Sequence, residues 1–290
     1  MTIPRFELHV PTSVAEASDL LARYPGEAVP YAGGTELLQT MKLGLASFQH
    51  LVDIKRIPSL AGIGEEPDGW LRIGATATHR EIERSPLVGE RLPALRAMER
   101  QVANVRVRTT GTLGGNLCFA EPHSDPAAFL LAAGARVRLG SASGVRELDV
   151  DAFIAGPLFT DRAPEELLLD VRIPAARPGR GHGFAKLAFF ERPAASVACR
   201  IDLADGAVAD ARVAVGSACE SPTLLERAAR TLVGARASDL GAALEAAIEA
   251  ARSDVETFDD VNGSADYKRH LVGLLLRAAA TSAYEEAMRA

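Results

Sequence analysis

Apolar and polar positions change period several times along the chain, and the changes divide it into parts. Residues 5–10 alternate with the two-residue repeat of a half-buried strand, and Pro11 stops them. Ser13 followed by Glu16 has the spacing of a capping box. Residues 14–24 then carry Ala17, Leu20, Leu21 and Tyr24 on one stripe, which predicts an amphipathic helix closed by Pro25 and Gly26. A strand over 28–31 runs into Ala32-Gly33-Gly34-Thr35-Glu36. A helix over 37–43 follows, with Gly44 as its C-terminal cap, and 50–54 reads as another strand.

Beyond residue 57 the pattern predicts a strand at 70–74, a polar turn from Thr76 to Arg80, a helix over 86–102 and a loop over 109–116. Ser124-Asp125-Pro126 opens a helix, because proline is tolerated in a first turn. Residues 127–133 are apolar on every side, so that helix should be fully buried before Gly134 ends it. Strands follow at 136–139 and 166–173. Residues 175–183 hold three glycines and a proline with no apolar period, and are read as a boundary. Three strand-like runs (184–190, 196–203, 208–215) then precede helices at 223–232, 240–252 and 266–288, an α+β order. By strand alternation, at least one of Phe189 and Phe190 should face the sheet core.

Composition narrows the functional classes. The 290 residues carry a net charge of −6, and only 5% are aromatic, so a nucleic-acid surface is not expected. Cys118, Cys199 and Cys219 are scattered, which excludes a disulfide framework and a self-contained four-cysteine cluster. No signal peptide or membrane span is legible, and the reading is a cytoplasmic protein.

Two glycine-rich segments carry the candidate chemistry, Ala32 to Glu36 and Gly111 to Asn116. Glycine lets a ligand approach the backbone closely, and successive free N–H groups form a concavity for anions. Thr35, Thr110 and Thr112 add hydroxyl donors without adding charge. Each segment alone is also what a plain turn looks like. Together they fit a ligand bearing a diphosphate, such as a dinucleotide. The second reads GxxGG rather than GxGxxG and the chain has no GxxxxGK[ST], so neither an ordinary Rossmann site nor a P-loop is indicated.

The longer strings are more specific. TTGTLGGNLCFAEPHSDPAAFLLAAGA at 109–135, with YAGGTELL at 31–38, resembles the FAD-binding domain of molybdenum hydroxylases, the xanthine dehydrogenase and carbon monoxide dehydrogenase family. HLVDIKRIPSLAGI at 50–63, LRIGATAT at 71–78, ELLLDVRIP at 166–174 and FAKL at 184–187 echo it in order over nearly the whole chain. The resemblance is to a stand-alone flavoprotein (medium) subunit. It implies a two-part FAD-binding domain at 1–177, with a small βαβ unit (about 1–56) and a larger α/β unit (about 57–177). A C-terminal domain at 178–290 follows, a three-stranded antiparallel sheet with helices.

The same resemblance implies roles. Ala32, Gly33, Gly34, Thr35 and Glu36, preceded by Tyr31, match the first pyrophosphate loop. Thr112, Leu113, Gly114, Gly115 and Asn116, preceded by Thr110, match the second. Thr76 and Thr78 would join the adenine or pyrophosphate side. Asp125 matches a flavin-contacting acid, or is simply a helix N-cap. Leu168 and Lys186 match positions at the flavin ring and its polar edge, where a cation would tune the cofactor; otherwise they are a core leucine and a solvated strand charge. Members often lay an aromatic ring over the flavin, yet here the segment after Lys186 runs Phe189-Phe190-Glu191-Arg192-Pro193-Ala194-Ala195, with small residues about where that ring is expected.

The activity implied is that of an oxidoreductase subunit with no catalytic residue of its own. It would take electrons from [2Fe–2S] clusters of a small partner and pass them to an external acceptor, with molybdopterin on a large partner, as a heterotrimer or a dimer of heterotrimers. The alternatives are a self-sufficient flavin oxidoreductase and a flavin-free assembly module. Glu121, His123 and Asp125 lack metal-ligand spacing, so no metal site is expected. Cys118 reads as a buried small hydrophobe, and Arg96, Arg100, Arg106 and Arg108 read as surface charge. Replacing Gly33 and Gly114 by Val should abolish FAD retention while leaving the fold largely intact.

Overall fold

A computed structural model describes residues 3–174 and 176–290, and the chain builds three main sheets in succession. The first holds β1 (Glu7–His9), β2 (Ala28–Tyr31) and β3 (His50–Asp53), all parallel in the order β1-β3-β2. The crossovers are α1 (Val14–Arg23) and α2 (Leu37–Lys42). Ser13 caps α1 by accepting from Glu16 N–H at 3.2 Å. The Glu16 carboxylate reaches back to Thr12 N–H at 2.8 Å rather than to the cap's own amide, so only half of the expected box forms. Ala17 and Leu21 of α1 pack on Val52 and Ile54, and Gly44 follows α2 at φ +75°.

The second sheet contains β4 (Ile63–Glu65), β5 (Leu71–Gly74), β6 (Arg136–Ser141), β7 (Gly144–Asp149) and β10 (Leu167–Ile173), antiparallel in the order β4-β5-β10-β6-β7. Between β7 and β10 run α9 (Val150–Phe153) and the short pair β8 (Ile154–Gly156) and β9 (Phe159–Thr160). Six helices separate β5 from β6. They are α3 (His79–Arg84), α4 (Pro86–Arg91), α5 (Pro93–Glu99), α6 (Val105–Thr110), α7 (Leu113–Phe119) and α8 (Asp125–Ala133).

Two expectations are corrected in this stretch. The single helix over 86–102 is two, because Pro93 forces Leu92 to φ −149°, ψ 65°, outside the helical region. The loop over 109–116 is a tight turn between helices: Asn104 caps α6, Thr112 caps α7, and Gly114 and Gly115 lie inside the first turn of α7. Every residue of α8 is buried, as its unbroken apolar surface requires.

The third sheet is antiparallel and runs β11 (Arg180–Ala188), β12 (Pro193–Ala204), β13 (Ala207–Gly216) and β14 (Thr223–Leu224). The two-residue β14 adds an edge to the three long strands. α10 (Glu226–Leu232), α11 (Leu240–Asp254) and α12 (Ala265–Arg289) complete the chain. Arg180 to Gly183, expected in the boundary, already belong to β11; of that stretch, residue 175 lies outside the described residues. The glycines mark close packing rather than a linker. A Cβ on Gly181 would overlap the Ala283 carbonyl oxygen of α12, and one on Gly183 would lie 2.9 Å from Ala283 N. Ala198 of β12 and Ala214 of β13 join the core of the second sheet, where α8 covers them. β11 stops at Ala188, so Phe189 and Phe190 both leave the strand and are exposed, against the expectation that one would turn inward.

Candidate cofactor site

β2 delivers the chain into the first glycine segment. Gly34 takes φ +69°, and a side chain there would sit 2.5 Å from the Tyr31 ring, so glycine is needed for both conformation and space. Lys55 braces the loop from beneath. Its ammonium lies 3.8 Å from the Tyr31 ring centroid and donates to the Ala32 carbonyl at 3.1 Å. Among the described residues, no hydrogen bond uses the N–H groups of Gly33, Gly34, Thr35 or Glu36. The four residues are half-buried, so these donors can be reached by a ligand from outside the loop.

The second segment packs directly on the first. A Cβ on Gly33 would overlap the Thr110 carbonyl oxygen and lie 2.8 Å from Gly111 Cα, and a Cβ on Gly111 would meet Val107 O at 3.0 Å and Thr35 Oγ1 at 3.4 Å. Most of its backbone donors, the Thr112 N–H excepted, are engaged inside the chain. Leu113 N–H donates to Ala77 O, Gly114 N–H to Ala75 O, and Gly115 N–H to the hydroxyl of its own cap, Thr112. A side chain on Gly114 would sit 2.7 Å from Ala75 O. The second segment is therefore chiefly a wall, and the first is the cradle. For the same reason a valine at Gly33 or Gly114 would collide with backbone, and the expectation of an intact fold in that double variant is corrected.

Several threonines are likewise occupied. Thr76 Oγ1 donates to Leu60 O at 2.9 Å, and Thr110 Oγ1 contacts Arg106 O at 3.3 Å. Thr78 forms a complete capping box with Glu81 at the start of α3. Asn116 Oδ1 accepts from Ser124 Oγ at 2.6 Å.

Behind the wall lies a cluster of buried charge. His79 N–H donates to Gly111 O, while its Nδ1 is 2.8 Å from Glu99 Oε2, both side chains being almost fully enclosed. Asp125 is the first helical residue of α8 rather than its cap; Ser124 is the cap and accepts from Ala127 N–H. Asp125 Oδ2 meets Lys186 Nζ at 2.5 Å, and Lys186 also donates to Gln101 O at 2.6 Å. Burial pushes the Asp125 carboxyl up to about 6, and Lys186 only partly offsets it. Lys186 is thus an enclosed, compensated cation rather than a solvated one. Asp125 Oδ1 has no hydrogen-bond partner among the described residues, and neither do Ser196 Oγ, opposite Lys186 in the β11–β12 register, or Ser217 Oγ.

A second chain of charges ties the loops to the C-terminal sheet and helices. Arg192 places one guanidinium nitrogen 3.6 Å from Glu36 and the other 3.4 Å from Glu121. His123 Nδ1 lies 2.9 Å from Glu121, and its Nε2 lies 3.0 Å from Asp260. Asp260 in turn meets the fully buried Lys268 at 2.8 Å, whose ammonium sits over the Phe258 ring. Hydrogen bonding to Glu121 raises the His123 pKa against the opposing effect of burial, with Asp260 adding to the rise.

Residues 4–176, which include both glycine segments, match the family described as "FAD binding domain in molybdopterin dehydrogenase". The chain belongs to that FAD-binding family. Residues 191–283 of this flavoprotein match a second family, "CO dehydrogenase flavoprotein C-terminal domain". It is 34% identical to the carbon monoxide dehydrogenase medium chain of Hydrogenophaga pseudoflava over 98% of this chain and 99% of that protein. It is 33% identical to the nicotine 6-hydroxylase medium subunit of Paenarthrobacter nicotinovorans, covering 96% of each. The solved carbon monoxide dehydrogenase of H. pseudoflava superposes with a TM-score of 0.94 at 34% identity over 99% of both chains. Quinoline 2-oxidoreductase from Pseudomonas putida 86 superposes with a TM-score of 0.91 at 29% identity, over 99% of this chain and 100% of that one.

The residues present fit FAD. The cradle offers unused N–H donors of the kind a diphosphate accepts from, and Asp125 Oδ1 is a buried polar atom lacking a partner. Of the expected site residues, the structure brings Gly33 and Thr35 against Thr110 and Gly111 and pairs Asp125 with Lys186, while Gly114 packs on Ala75 and His79 ties Gly111 to Glu99. Leu168 lies on β10 within the core of the second sheet, 3% exposed. Sequence reasoning missed His79, Glu99, Glu121 and Arg192, whose pairings join residues far apart in the chain. It also misjudged Arg108, which is half-buried and bonded to Glu83 and the Val102 carbonyl. Cys118 packs against the second core, where burial raises its thiol to about 11.

Proposed function

We propose that this flavoprotein is the medium subunit of a molybdenum hydroxylase complex, with residues 1–177 holding FAD and residues 178–290 forming the C-terminal domain. It takes electrons from [2Fe–2S] clusters of a small partner subunit and delivers them to an external acceptor in the cytoplasm. A large molybdopterin subunit performs the substrate hydroxylation, the three chains assembling as a heterotrimer and two heterotrimers as a dimer. Similarity over 98% of the chain to a carbon monoxide dehydrogenase medium chain supports this division of labour. No helix among the described residues is long and apolar enough to cross a membrane.

The observation that carries the reading is the set of unused N–H groups from Gly33 to Glu36, closed on one side by Thr110 and Gly111. These amides bind the diphosphate, and Thr35 Oγ1 lies beside them to donate a further hydrogen bond. Lys55 holds the loop in its binding shape. Asp125 and Lys186, paired at 2.5 Å and almost fully enclosed, would hold the polar edge of the ring. Bound FAD supplies a ring that accepts and releases electrons singly or in pairs.

Anaerobic mixing tests the assignment. The FAD-loaded chain alone should stay oxidised with organic hydroxylase substrates, and it should bleach when the reduced iron–sulfur partner is added. Bleaching of the isolated chain by a small organic substrate, or failure to take up FAD, would overturn it.

A further inference from the structure

The first sheet carries a ligand set that cofactor binding does not use. On β1 the two-residue repeat puts Glu7 and His9 on one face, and the parallel register sets Glu7 opposite His50 at the start of β3. His9 Nε2 lies 3.0 Å from His50 Nδ1, and Glu7 Oε2 lies 3.6 Å from the same His50 Nδ1. One ligand atom from each of the three residues falls within 4.8 Å of the others. Tyr24, just past α1, stacks on the His50 ring with centroids 3.8 Å apart, fixing the plane of that imidazole. His50 N–H donates to Glu27 O, which anchors the backbone. Both imidazoles are largely enclosed and the carboxylate stands at the mouth, open to solvent.

We propose that Glu7, His9 and His50 form a structural site for one divalent transition-metal ion, best suited to Zn2+. Two imidazoles and one carboxylate are a borderline donor set that selects zinc over magnesium or calcium, which prefer all-oxygen surroundings. Zinc holds its ligands about 2.0–2.1 Å away, which sets tetrahedral neighbours about 3.3 Å apart. The two nitrogens at 3.0 Å therefore need to part only slightly. In the metal-free chain one imidazole must donate a proton to the other. On binding, each ring carries its proton on the nitrogen remote from the metal, and water completes the fourth position. The consequence is mechanical. β1 is a three-residue edge strand in which Leu8, like the flanking Phe6 and Val10, is exposed, and the metal would clip it to β3.

The test uses the FAD-loaded chain after dialysis against a chelator, titrated calorimetrically with ZnCl2 and separately with MgCl2. The expected result is one Zn2+ per chain at micromolar Kd or tighter, an upward shift in Tm, and no competition from Mg2+. Co2+ in the same site should give visible d–d bands at longer wavelength than the flavin. His9→Gln and His50→Gln should each weaken binding by about a hundredfold, and Glu7→Gln by about tenfold. His270→Gln, at an exposed histidine on α12, should bind as the parent does. FAD content should be unchanged throughout, which separates failure of the metal site from failure of the cofactor assignment. Should either histidine variant misfold, Glu7→Gln at the exposed carboxylate and the Co2+ spectrum decide. Millimolar affinity, or equal Zn2+ affinity in the parent and the Glu7→Gln and His50→Gln proteins, would overturn the proposal.

Discussion

Replacing Gly33 by alanine isolates the contact on which the cofactor cradle rests. The added methyl would overlap the Thr110 carbonyl and stand 2.8 Å from Gly111 Cα, where ordinary contact begins at 3.4 Å. Both obstacles are backbone, so neither can rotate away, and the two segments must separate. Forced overpacking of this kind costs about 1–3 kcal/mol, and an all-backbone clash belongs near the upper end. Separation also tilts the free N–H groups of Gly33 to Glu36 off the diphosphate. Losing about 2 kcal/mol of charge-assisted hydrogen bonding weakens FAD about thirtyfold. Gly44→Ala supplies the control: it too is a glycine near α2, at φ +75°, but its Cβ would meet nothing within 4 Å. That variant should lose only the backbone-strain penalty of about 1–2 kcal/mol and none of its FAD affinity. Urea unfolding of the apo chains gives the stability difference, and quenching of flavin fluorescence gives Kd. If Gly33→Ala bound FAD as tightly as the parent, or unfolded no more readily than Gly44→Ala, the contact between the two segments would not be what shapes the cradle.

Two further outcomes follow from the buried charges. Lys186→Met strips the enclosed Asp125 of its cation, and breaking such a pair should cost about 3 kcal/mol in denaturant unfolding at pH 7; the carboxyl, already pushed to about 6, should then be neutral at that pH and show the infrared carbonyl stretch of an un-ionised acid, whereas an unchanged midpoint and spectrum would dismiss the pairing. His123 is raised above its usual 6.5 by Glu121 and Asp260, so its contribution is full below pH 6.5 and is lost as pH rises through the folded value; unfolding midpoints of the parent should fall more steeply from pH 6.5 upward than those of His123→Gln, and parallel profiles would refute the linkage.

What the sequence made readable was whatever depends on neighbours in the chain. The helix after Ser13, the buried helix after Ser124 and the stop at Gly44 each rest on local capping or periodicity, and all three form, though the box at Ser13 closes only by half. Glycine was where reading failed, because it has more than one physical cause. Gly114 and Gly115 looked like a loop, yet they lie in a helix whose first turn presses on Ala75. Gly181 and Gly183 looked like a linker, yet they are a strand beneath α12. The site was half legible for a similar reason. Its glycine segments announce themselves, but which of them keeps its N–H groups free depends on Ala75 and Ala77, a tertiary fact. His79 meeting Glu99, and His9 meeting His50, depend on helix packing and strand register that no short window contains.

The seam between α12 and β11 holds no cofactor and performs no chemistry, yet it leaves inheritance little room. Gly181 and Gly183 face the main chain of Ala279 and Ala283, so a larger residue on the strand could not be answered by any trimming of side chains on the helix. Compensating change needs slack on one side, and here both sides have spent it. Tags or inserted peptides for engineering therefore belong elsewhere, for instance at the turn from β6 into β7, where Val145 is exposed and Gly144 is unobstructed.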